Sequence, residues 1–506
     1  MHPMKVLLLA TATLALSSCA VGPDFKSPKG PDIARYTDSE MPGKTASAKG
    51  DTGAAQRFAK GADVPMDWWK QFGSEPLNKI VDEAFKENPD LEAATASLRQ
   101  AQEAYYATRG DFLPSIDAGF KATREKFNPA AFGQTGAPAS IFTLYQGTVN
   151  VSYNLDLFGG TRRALEAAGA QVDYERFELE AAYLSMTANV VTTAIQEASL
   201  REQIKEINDI VNIQREQLDL LKKQLAVGAV PKTTVLEQEA TLAQTQTTLP
   251  SLEKQLAQTR NQLAVLAGKF PGNNTLANFN LTDLKLPEQL PLSLPSSLVE
   301  QRPDIRAAEA MLHTASANVG VATANMLPQI SINGAYGSES TSFSKLFTSG
   351  TEVWSIGGGL LQPLFHGGTL LHEKRAAVAA YDKASAQYKS TVLQAFKNVA
   401  DTLRALQYDA EGLAAQVNAE EAAHNSLDLA RTQYKVGAIS YPQLLDAQRT
   451  YAQARIGLVQ ARAARLTDTV TLFQALGGGW QNAEKAQNSA APATTTEKQP
   501  TSKSEK

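Results

Sequence analysis

The apolar side chains between Gly368 and Leu476 follow the spacing of a coiled coil. They recur at alternating steps of four and three residues, at Val392, Phe396, Val399, Leu403, Leu406, Ala410, Leu413 and Val417. A period of about 3.5 residues places them along one stripe of a helix that packs against another helix. The helix is expected to end at Gly437, because glycine takes the left-handed conformation of a helix cap, and Pro442 suits the first turn of a return helix. The segment therefore predicts a hairpin of two helices.

An equivalent hairpin occurs earlier in the chain, where a long helix over about 161–226 is followed by a return helix over 235–268. Gly228 and Gly437, at the two turns, lie 209 positions apart, and the Leu-Pro pairs that end in Pro114 and Pro328 lie 214 apart. A helix of about 66 residues spans roughly 100 Å, several times the width of an ordinary domain. The chain is therefore a tandem duplication of an elongated unit rather than a set of compact globules.

Two segments in each half alternate apolar and polar residues with a period of two, the pattern of a strand with one apolar face. The apolar positions are Ile116, Ala118, Phe120 and Ala122, then Val149, Val151, Tyr153, Leu155 and Leu157, and in the second half Ile330, Ile332, Tyr336, Trp354, Ile356 and Leu360. Loops are expected over 127–146 and 338–352, and the alternation is weakest at the glycines of 357–359. Each half thus predicts a helix, which covers 77–112 in the first half, then two strands, a long helix and a return helix.

These strands, about ten residues long with one polar and one apolar face, suit a transmembrane β-barrel. Because the smallest such barrels need about eight strands, a chain that supplies four must share its barrel with other copies. An ordinary soluble sheet packed on helices is less favoured, since the polar rows have no evident partner and the helices are too long for a two-layer domain. The predicted fold class is a membrane α+β protein, a shared barrel continued by a long α-helical coiled coil, internally duplicated.

Composition narrows the class of protein further. The mean hydropathy is −0.26 and no apolar run near 20 residues occurs beyond the N-terminus, which excludes a helical membrane protein. A net charge of −4 offers no basic surface for nucleic acid. No catalytic grouping or Gly-Lys-Ser/Thr phosphate loop is evident, and the histidines lack the spacing of metal ligands. We therefore expect neither an enzyme nor a cofactor nor a bound metal.

The N-terminus has the features of an export signal. Lys5 precedes a short apolar run over 6–16, so residues 1–18 are predicted to be a signal peptide. The sequence Leu-Ser-Ser-Cys at 16–19 resembles the bacterial lipobox, and Cys19, the sole cysteine, would then become the lipidated first residue. Ala20 follows where an aspartate would favour the inner membrane, so the resemblance implies sorting to the outer membrane.

The other boundaries follow from composition and from the repeats. Residues 19–76 are expected to form a lipidated tether and a loosely packed arm, because 21–63 is rich in Pro, Gly, Lys, Asp and Ser and has no periodicity. The first repeat covers 77–268, the second covers 300–480, and the proline-rich stretch 269–299 forms a connector in the equatorial region. The tail 481–506 has few apolar side chains and is expected to be disordered.

The order of these motifs resembles the TolC-like outer-membrane efflux lipoproteins of the NodT branch. The resemblance covers about residues 16–480 and includes Val-Gly-Pro-Asp-Phe at 21–25, Asp-Trp-Trp at 67–69, both Leu-Pro junctions, both Val-Gly-Ala turns and Leu-Leu-Asp-Ala-Gln at 444–448. It implies a homotrimer with a twelve-strand barrel in the outer membrane and a helical tunnel through the periplasm. The implied function is the passive exit of drugs or other small toxic compounds in a tripartite efflux system.

The resemblance also implies partners, namely a periplasmic adaptor, a proton-driven inner-membrane transporter and outer-membrane lipid. Two alternative functions stay open. A type I polypeptide secretion duct would have the same fold, and a structural coiled-coil lipoprotein would span the periplasm without a pore. The strands with alternating faces argue against the second alternative.

The helix tips are the candidate site that the resemblance implies. Adaptor contacts are expected at Val227, Gly228, Ala229, Val436, Gly437 and Ala438. A periplasmic gate is expected at Asp446, with Gln443 and Tyr434 nearby, because 444–448 corresponds to the stretch that narrows the tunnel in the family. Glu237 lies nine residues after Gly228, as Asp446 lies nine after Gly437. Which of the two carboxylates dominates the constriction stays open, and either could simply face solvent.

Overall fold

The structure is a computed structural model that describes residues 20–50, 52–129, 133, 136, 138–273 and 276–480. The predicted signal peptide, Cys19 and the predicted tail at 481–506 lie outside these residues. The chain divides into two compact units, which we call the strand unit and the hairpin unit. The strand unit contains residues 20–28, Ala96–Arg176 and Ala307–Lys389, and the hairpin unit contains Lys29–Thr95, Phe177–Arg306 and residues 390–480.

The helices and strands follow the predicted order in each half. The helices are α1 (Glu75–Glu87), α2 (Pro89–Gly110), α3 (Gly160–Ala226), α4 (Lys232–Gln246), α5 (Leu249–Leu266), α6 (Pro295–Gln301), α7 (Pro303–Ala324), α8 (Thr369–Lys435) and α9 (Tyr441–Ala475). The strands are β1 (Arg57–Lys60), β2 (Ser115–Phe127), β3 (Ser140–Leu155), β4 (Gln289–Leu292), β5 (Gln329–Ser340) and β6 (Glu352–Leu361). Along the described part of the chain, no helix is both long and apolar enough to cross a membrane.

In the strand unit, the strands form one antiparallel sheet in the order β2-β3-β5-β6, with β2 and β6 at its edges. The register places Ile116 opposite Val151, and it aligns Val149, Tyr336 and Trp354 across three strands. One face of the sheet is therefore apolar, as the alternation predicts. That face is uncovered in the single chain, where the side chain of Trp354 is 74% exposed. The unpaired edges and the uncovered face are what a shared barrel requires.

One loop prediction in this sheet is wrong. β3 begins at Ser140, so the loop expected over 127–146 is much shorter than predicted. The first part of the strand, Ser-Ile-Phe-Thr-Leu-Tyr, carries apolar residues on both faces. Phe142 and Leu144 lie on one face of the strand, and Ile141 and Tyr145 lie on the other. A strand of this composition has no clear period of two, and the sequence pattern alone therefore misses it.

In the hairpin unit, the predicted seams of the long helices are buried. Val399, Leu403, Leu406, Ala410 and Leu413 of α8 are each at most 1% exposed. Close to the turns, four helices share one apolar core, which consists of Ile207, Val211, Leu218 and Leu221 of α3, Val235 and Leu242 of α4, Leu427 and Ala430 of α8, and Tyr441, Leu444 and Leu445 of α9. This packing rather than helix propensity stabilises such long helices.

Two helices predicted as continuous are broken at prolines. The helix expected over 77–112 is α1 and α2, because a residue before proline avoids the helical conformation, and Asn88 before Pro89 has ψ of 119°. The return helix expected over 235–268 is α4 and α5. Pro250 has no N–H to donate to the carbonyl of Gln246, where α4 ends.

The N-terminal arm is packed more tightly than predicted. Arg465 of α9 is fully buried, and its guanidinium donates hydrogen bonds to the carbonyls of Thr52 (3.0 Å) and Ala54 (2.6 Å) and to the hydroxyl of Thr45 (3.0 Å). Because a buried charge is costly unless its N–H groups are bonded, this part of the arm must close around the arginine. The expectation of a loosely packed arm is therefore wrong for this segment, which sequence patterning misses because its partner lies more than 400 residues away.

Candidate functional site

The two hairpin turns are built in the same way. Gly228 has φ of +71° and Gly437 has φ of +74°, the left-handed region that side chains other than glycine rarely adopt. The N–H of Ala229 bonds the carbonyl of Gln224 (2.8 Å), and the N–H of Ala438 bonds that of Gln433 (2.9 Å), as in a Schellman cap. A Cβ on either glycine would meet no atom within 4 Å. The backbone angle, and not lack of space, therefore requires glycine at both tips.

The predicted adaptor contacts lie on the surface of these turns. Val227 is 80% exposed and Val436 is 76% exposed, so each tip presents an apolar side chain to solvent. A groove of about 560 Å³ lies between the hairpins, and its walls include Leu220 of α3, Ala229 of the first turn and Tyr434 of α8. The two tips are therefore neighbours within one unit and form a single surface.

The predicted gate residues lie just past the second tip, but they have different surroundings. The side-chain oxygen of Gln443 accepts hydrogen bonds from the N–H (2.8 Å) and the hydroxyl (3.1 Å) of Ser440, so it caps α9. Asp446, about one turn further along α9, is exposed. Tyr434 is half-buried, and its ring lies 5.3 Å from that of Tyr441. Burial raises the pKa of Tyr434. The structure thus brings Tyr434 into the hairpin core and leaves the Asp446 carboxylate at the surface.

A buried polar contact that sequence reasoning misses links the two hairpins beside the tips. The hydroxyl of Tyr441 donates to the side-chain oxygen of Gln238 (2.5 Å), whose amide donates to the carbonyl of Gln214 (2.8 Å). Gln238 is fully buried, and burial, followed by the proximity of Tyr434 and Glu237, raises the pKa of Tyr441. The sequence does place Tyr441 directly before Pro442 at the start of a predicted helix, but it gives no indication that the tyrosine contacts Gln238 on α4.

Glu237, the counterpart of Asp446 in the first repeat, is also exposed. Its charge is the smallest contribution to the raised pKa of Tyr441, after burial and Tyr434. In the described part of the chain, no group of three or more His, Cys, Asp or Glu side chains is arranged to hold a metal ion. The chemistry that this surface offers is therefore carboxylate charge, apolar contact and hydrogen bonding.

Comparison with known proteins identifies the family. Residues 80–269 and 294–478 match the family model described as outer membrane efflux protein. The chain belongs to this family. It is 31% identical over 419 residues to the pyoverdine export outer membrane protein OpmQ of Pseudomonas putida, covering 82% of this chain and 88% of that protein. It is 29% identical over 496 residues to the toluene efflux pump outer membrane protein TtgC of Pseudomonas putida, covering 97% and 99% of the two chains.

A solved structure agrees with this assignment. The outer-membrane channel OprN matches with a TM-score of 0.81 and 29% sequence identity, covering 92% of this chain and 100% of that chain. These matches confirm the predicted family resemblance and the predicted fold class. They also confirm the predicted function and the predicted location in the outer membrane, because a member of this family with this fold is an outer-membrane efflux channel. The relatives are named as channels and efflux proteins rather than as enzymes.

Proposed function

We propose that three copies of this chain form one passive channel through which small toxic compounds leave the cell, without chemistry of its own. The supporting observation is the sheet of the strand unit, which ends in two edge strands, β2 and β6. An edge strand in a membrane leaves backbone N–H and C=O groups unbonded, at a cost of several kcal/mol for each group. Pairing β6 of one copy with β2 of the next removes every edge, and three copies would supply twelve strands.

The class of substrate is proposed from the relatives. The names of the two relatives described above refer to pyoverdine and to toluene, and both are small molecules. We therefore favour small compounds over polypeptides as substrates of this chain. A type I secretion duct is the second candidate, and a structural lipoprotein without a pore is the third. Lipid attachment at Cys19, which the lipobox resemblance implies, would add an anchor to the barrel.

The tips are proposed to bind the periplasmic adaptor of a tripartite system that includes a proton-driven inner-membrane transporter. The contacting residues would be Val227, Gly228, Ala229, Val436, Gly437 and Ala438. The two valines support this assignment, because both apolar side chains are largely exposed to solvent in the single chain. Adaptor binding would cover both valines and the groove between the hairpins.

The gate is proposed at Asp446, with Tyr434 and Gln443 supporting the helix that carries it. In a trimer each Asp446 has two symmetry copies, and three carboxylates in a constricted ring repel one another unless cations bind between them. The exposed position of Asp446 in the single chain supports this arrangement, because its carboxylate is free to face the axis. The hairpin contacts of Tyr434 would hold the closed state.

Planar-bilayer recording of the purified protein tests the proposal. We expect wild-type channels to conduct, and a multivalent cation on the periplasmic side to block them. Asp446→Ala should weaken this block and reduce cation selectivity, whereas the matched Glu237→Ala should leave the block unchanged. Block abolished by Glu237→Ala alone would assign the gate to the first repeat. Inserted trimers that never conduct, even with both acids replaced, would favour the structural lipoprotein.

A further inference from the structure

The apolar face of the sheet ends in two cations on β2. Arg124 lies opposite Thr143 and Lys126 lies opposite Ile141, at the end of the sheet farthest from the helices. Side chains alternate along a strand, so both cations share the face that carries Ile116. The strand positions of β2 and β3 on this face include no carboxylate. The two cations therefore continue an otherwise apolar stripe.

An aromatic cluster lies beside these cations on the same face. The ring of Phe343, in the loop between β5 and β6, lies 6.0 Å from the ring of Phe120 and 5.7 Å from that of Tyr145. The same loop covers Gly147, where a Cβ would stand 3.1 Å from the ring of Phe347. Aromatic side chains at the rim of an apolar band mark the level at which a barrel leaves the hydrocarbon.

The height of the cations fits the headgroup layer of a membrane. Lys126 follows Ile116 by ten residues, which is about 33 Å along a strand. With the usual strand tilt of about 40°, this length corresponds to about 25 Å along the membrane normal, the height of the apolar band of an outer-membrane barrel. Lys126 is then at the level of the lipid headgroups, in the leaflet on the side of the β2–β3 and β5–β6 loops. Arg124 lies about 5 Å lower along the membrane normal and reaches the same level with its long side chain.

We propose that Arg124 and Lys126 bind the phosphate of an anionic lipid headgroup in that leaflet. The inference rests on the proposed function, since it requires the apolar face to be in the membrane. Arginine binds phosphate with two parallel hydrogen bonds, and lysine adds a point charge. The adjoining aromatic rings offer an apolar surface to the first part of the acyl chains. A cation near a charged lipid surface contributes about fivefold in affinity, so a pair contributes about 25-fold.

Lipid binding to the purified trimer in zwitterionic detergent, followed by native mass spectrometry, tests this site. The probes are phosphorylated lipid A and its dephosphorylated form, with inorganic phosphate as a competitor. In the double variant Arg124→Gln/Lys126→Gln the dissociation constant for the phosphorylated probe should rise about 25-fold. The control Lys121→Gln should bind as wild type, because Lys121 lies on the opposite face of the same strand. Neither dephosphorylated lipid nor phosphate alone should compete at the same concentration.

Two results would overturn the inference. One is equal affinity of the wild type and the double variant for phosphorylated lipid. The other is loss of trimer stability, without loss of lipid binding, in both the double variant and Glu352→Gln. Glu352 is the acid on this face of β6, so that result would mean that the cations pair with a neighbouring copy. The double variant should still conduct in bilayers, which separates a failure of this site from a failure of the channel proposal.

Discussion

The two repeats share the length of their long helices and the geometry of their turns, but they bury different polar groups. α3 and α8 contain 67 residues each, and a glycine with positive φ stands two residues after the end of each helix. At one level along the long helices, however, the first repeat buries Glu197. Its carboxylate binds Arg260 (2.8 Å), Arg201 and the N–H of Phe279 (3.2 Å). The counterpart of Glu197 in the second repeat is Leu406, which is fully buried. The apolar seam and the tip glycines therefore suffice for the shared shape, and the polar interior can vary as long as each charge has partners.

The second repeat has a pair of half-buried carboxyl groups close to the same level. Asp409 and Asp468 contact each other between α8 and α9, where the first repeat has Leu200 and Thr259. Burial, then the hydrogen bond with Asp409 and repulsion from it, raise the pKa of Asp468 to about 8. The first repeat thus neutralises the Glu197 carboxylate with two arginines, whereas the second repeat neutralises the Asp468 carboxyl by keeping its proton.

The largest expected effect is at the ion-paired carboxylate of the first repeat. Glu197→Ala removes the charged partner of two arginines and the acceptor of one backbone N–H, and leaves both arginines with the neutral side-chain oxygen of Asn278. We therefore expect the trimer to lose about 3 to 5 kcal/mol of stability. Thermal unfolding in detergent measures the loss. Glu216→Ala, an exposed glutamate of the same helix, is the control and should change little.

A triple variant sharpens this comparison. Glu197→Leu, Arg201→Ala and Arg260→Thr together give the first repeat the residues of the second at these positions. If packing sets the shape, the triple variant should recover most of the stability that Glu197→Leu alone loses. A triple variant as unstable as the single one would mean that the arginines have a separate structural role.

The return helices give the next largest effect. Pro250 separates α4 from α5, whereas α9 is continuous and has Val459, 2% exposed, at the matched position. Val459→Pro removes the hydrogen bond to the carbonyl of Arg455 and inserts a ring into the helix, at a cost of about 3 kcal/mol. We expect a lower melting temperature and a lower yield of trimer. Val459→Ala, which changes packing but not the backbone, should cost clearly less, and equal costs would contradict a backbone mechanism.

Most of the fold could be predicted from local patterns, and the rest depends on distant partners. The period of the seam around Leu403, the glycine at 437 and the alternation around Val151 are each signals within a few residues. The break at Pro250 was also present in the sequence as a missing N–H, although the return helix was predicted as continuous. By contrast, the carbonyls around Arg465 and the link between Tyr441 and Gln238 join residues that are hundreds of positions apart. No local period encodes such contacts, and the roles of the tip and gate residues likewise remain predictions.

The smallest expected effect, at most about 2 kcal/mol between pH 6 and 7.5, concerns the protonated carboxyl of the second repeat. The folded chain holds a proton on Asp468 up to about pH 8, whereas an unfolded aspartate releases it near its ordinary pKa of about 3.8. Because the folded state binds the additional proton, stability should fall as the pH rises between these values, by at most about 1.4 kcal/mol per pH unit, and should be flat above them. Asp468→Asn keeps the shape but has no proton to lose. The melting temperature of this variant should therefore be less dependent on pH between about 6 and 7.5 and higher than that of the wild type at the upper end. Asp401→Asn, an exposed acid on α8 that pairs with Lys397 at 2.7 Å, is the matched control and should keep the wild-type slope. A wild type whose melting temperature does not change over this range would mean that water or a neighbouring copy relieves the pair, and the two repeats would then differ in residue identity but not in proton binding.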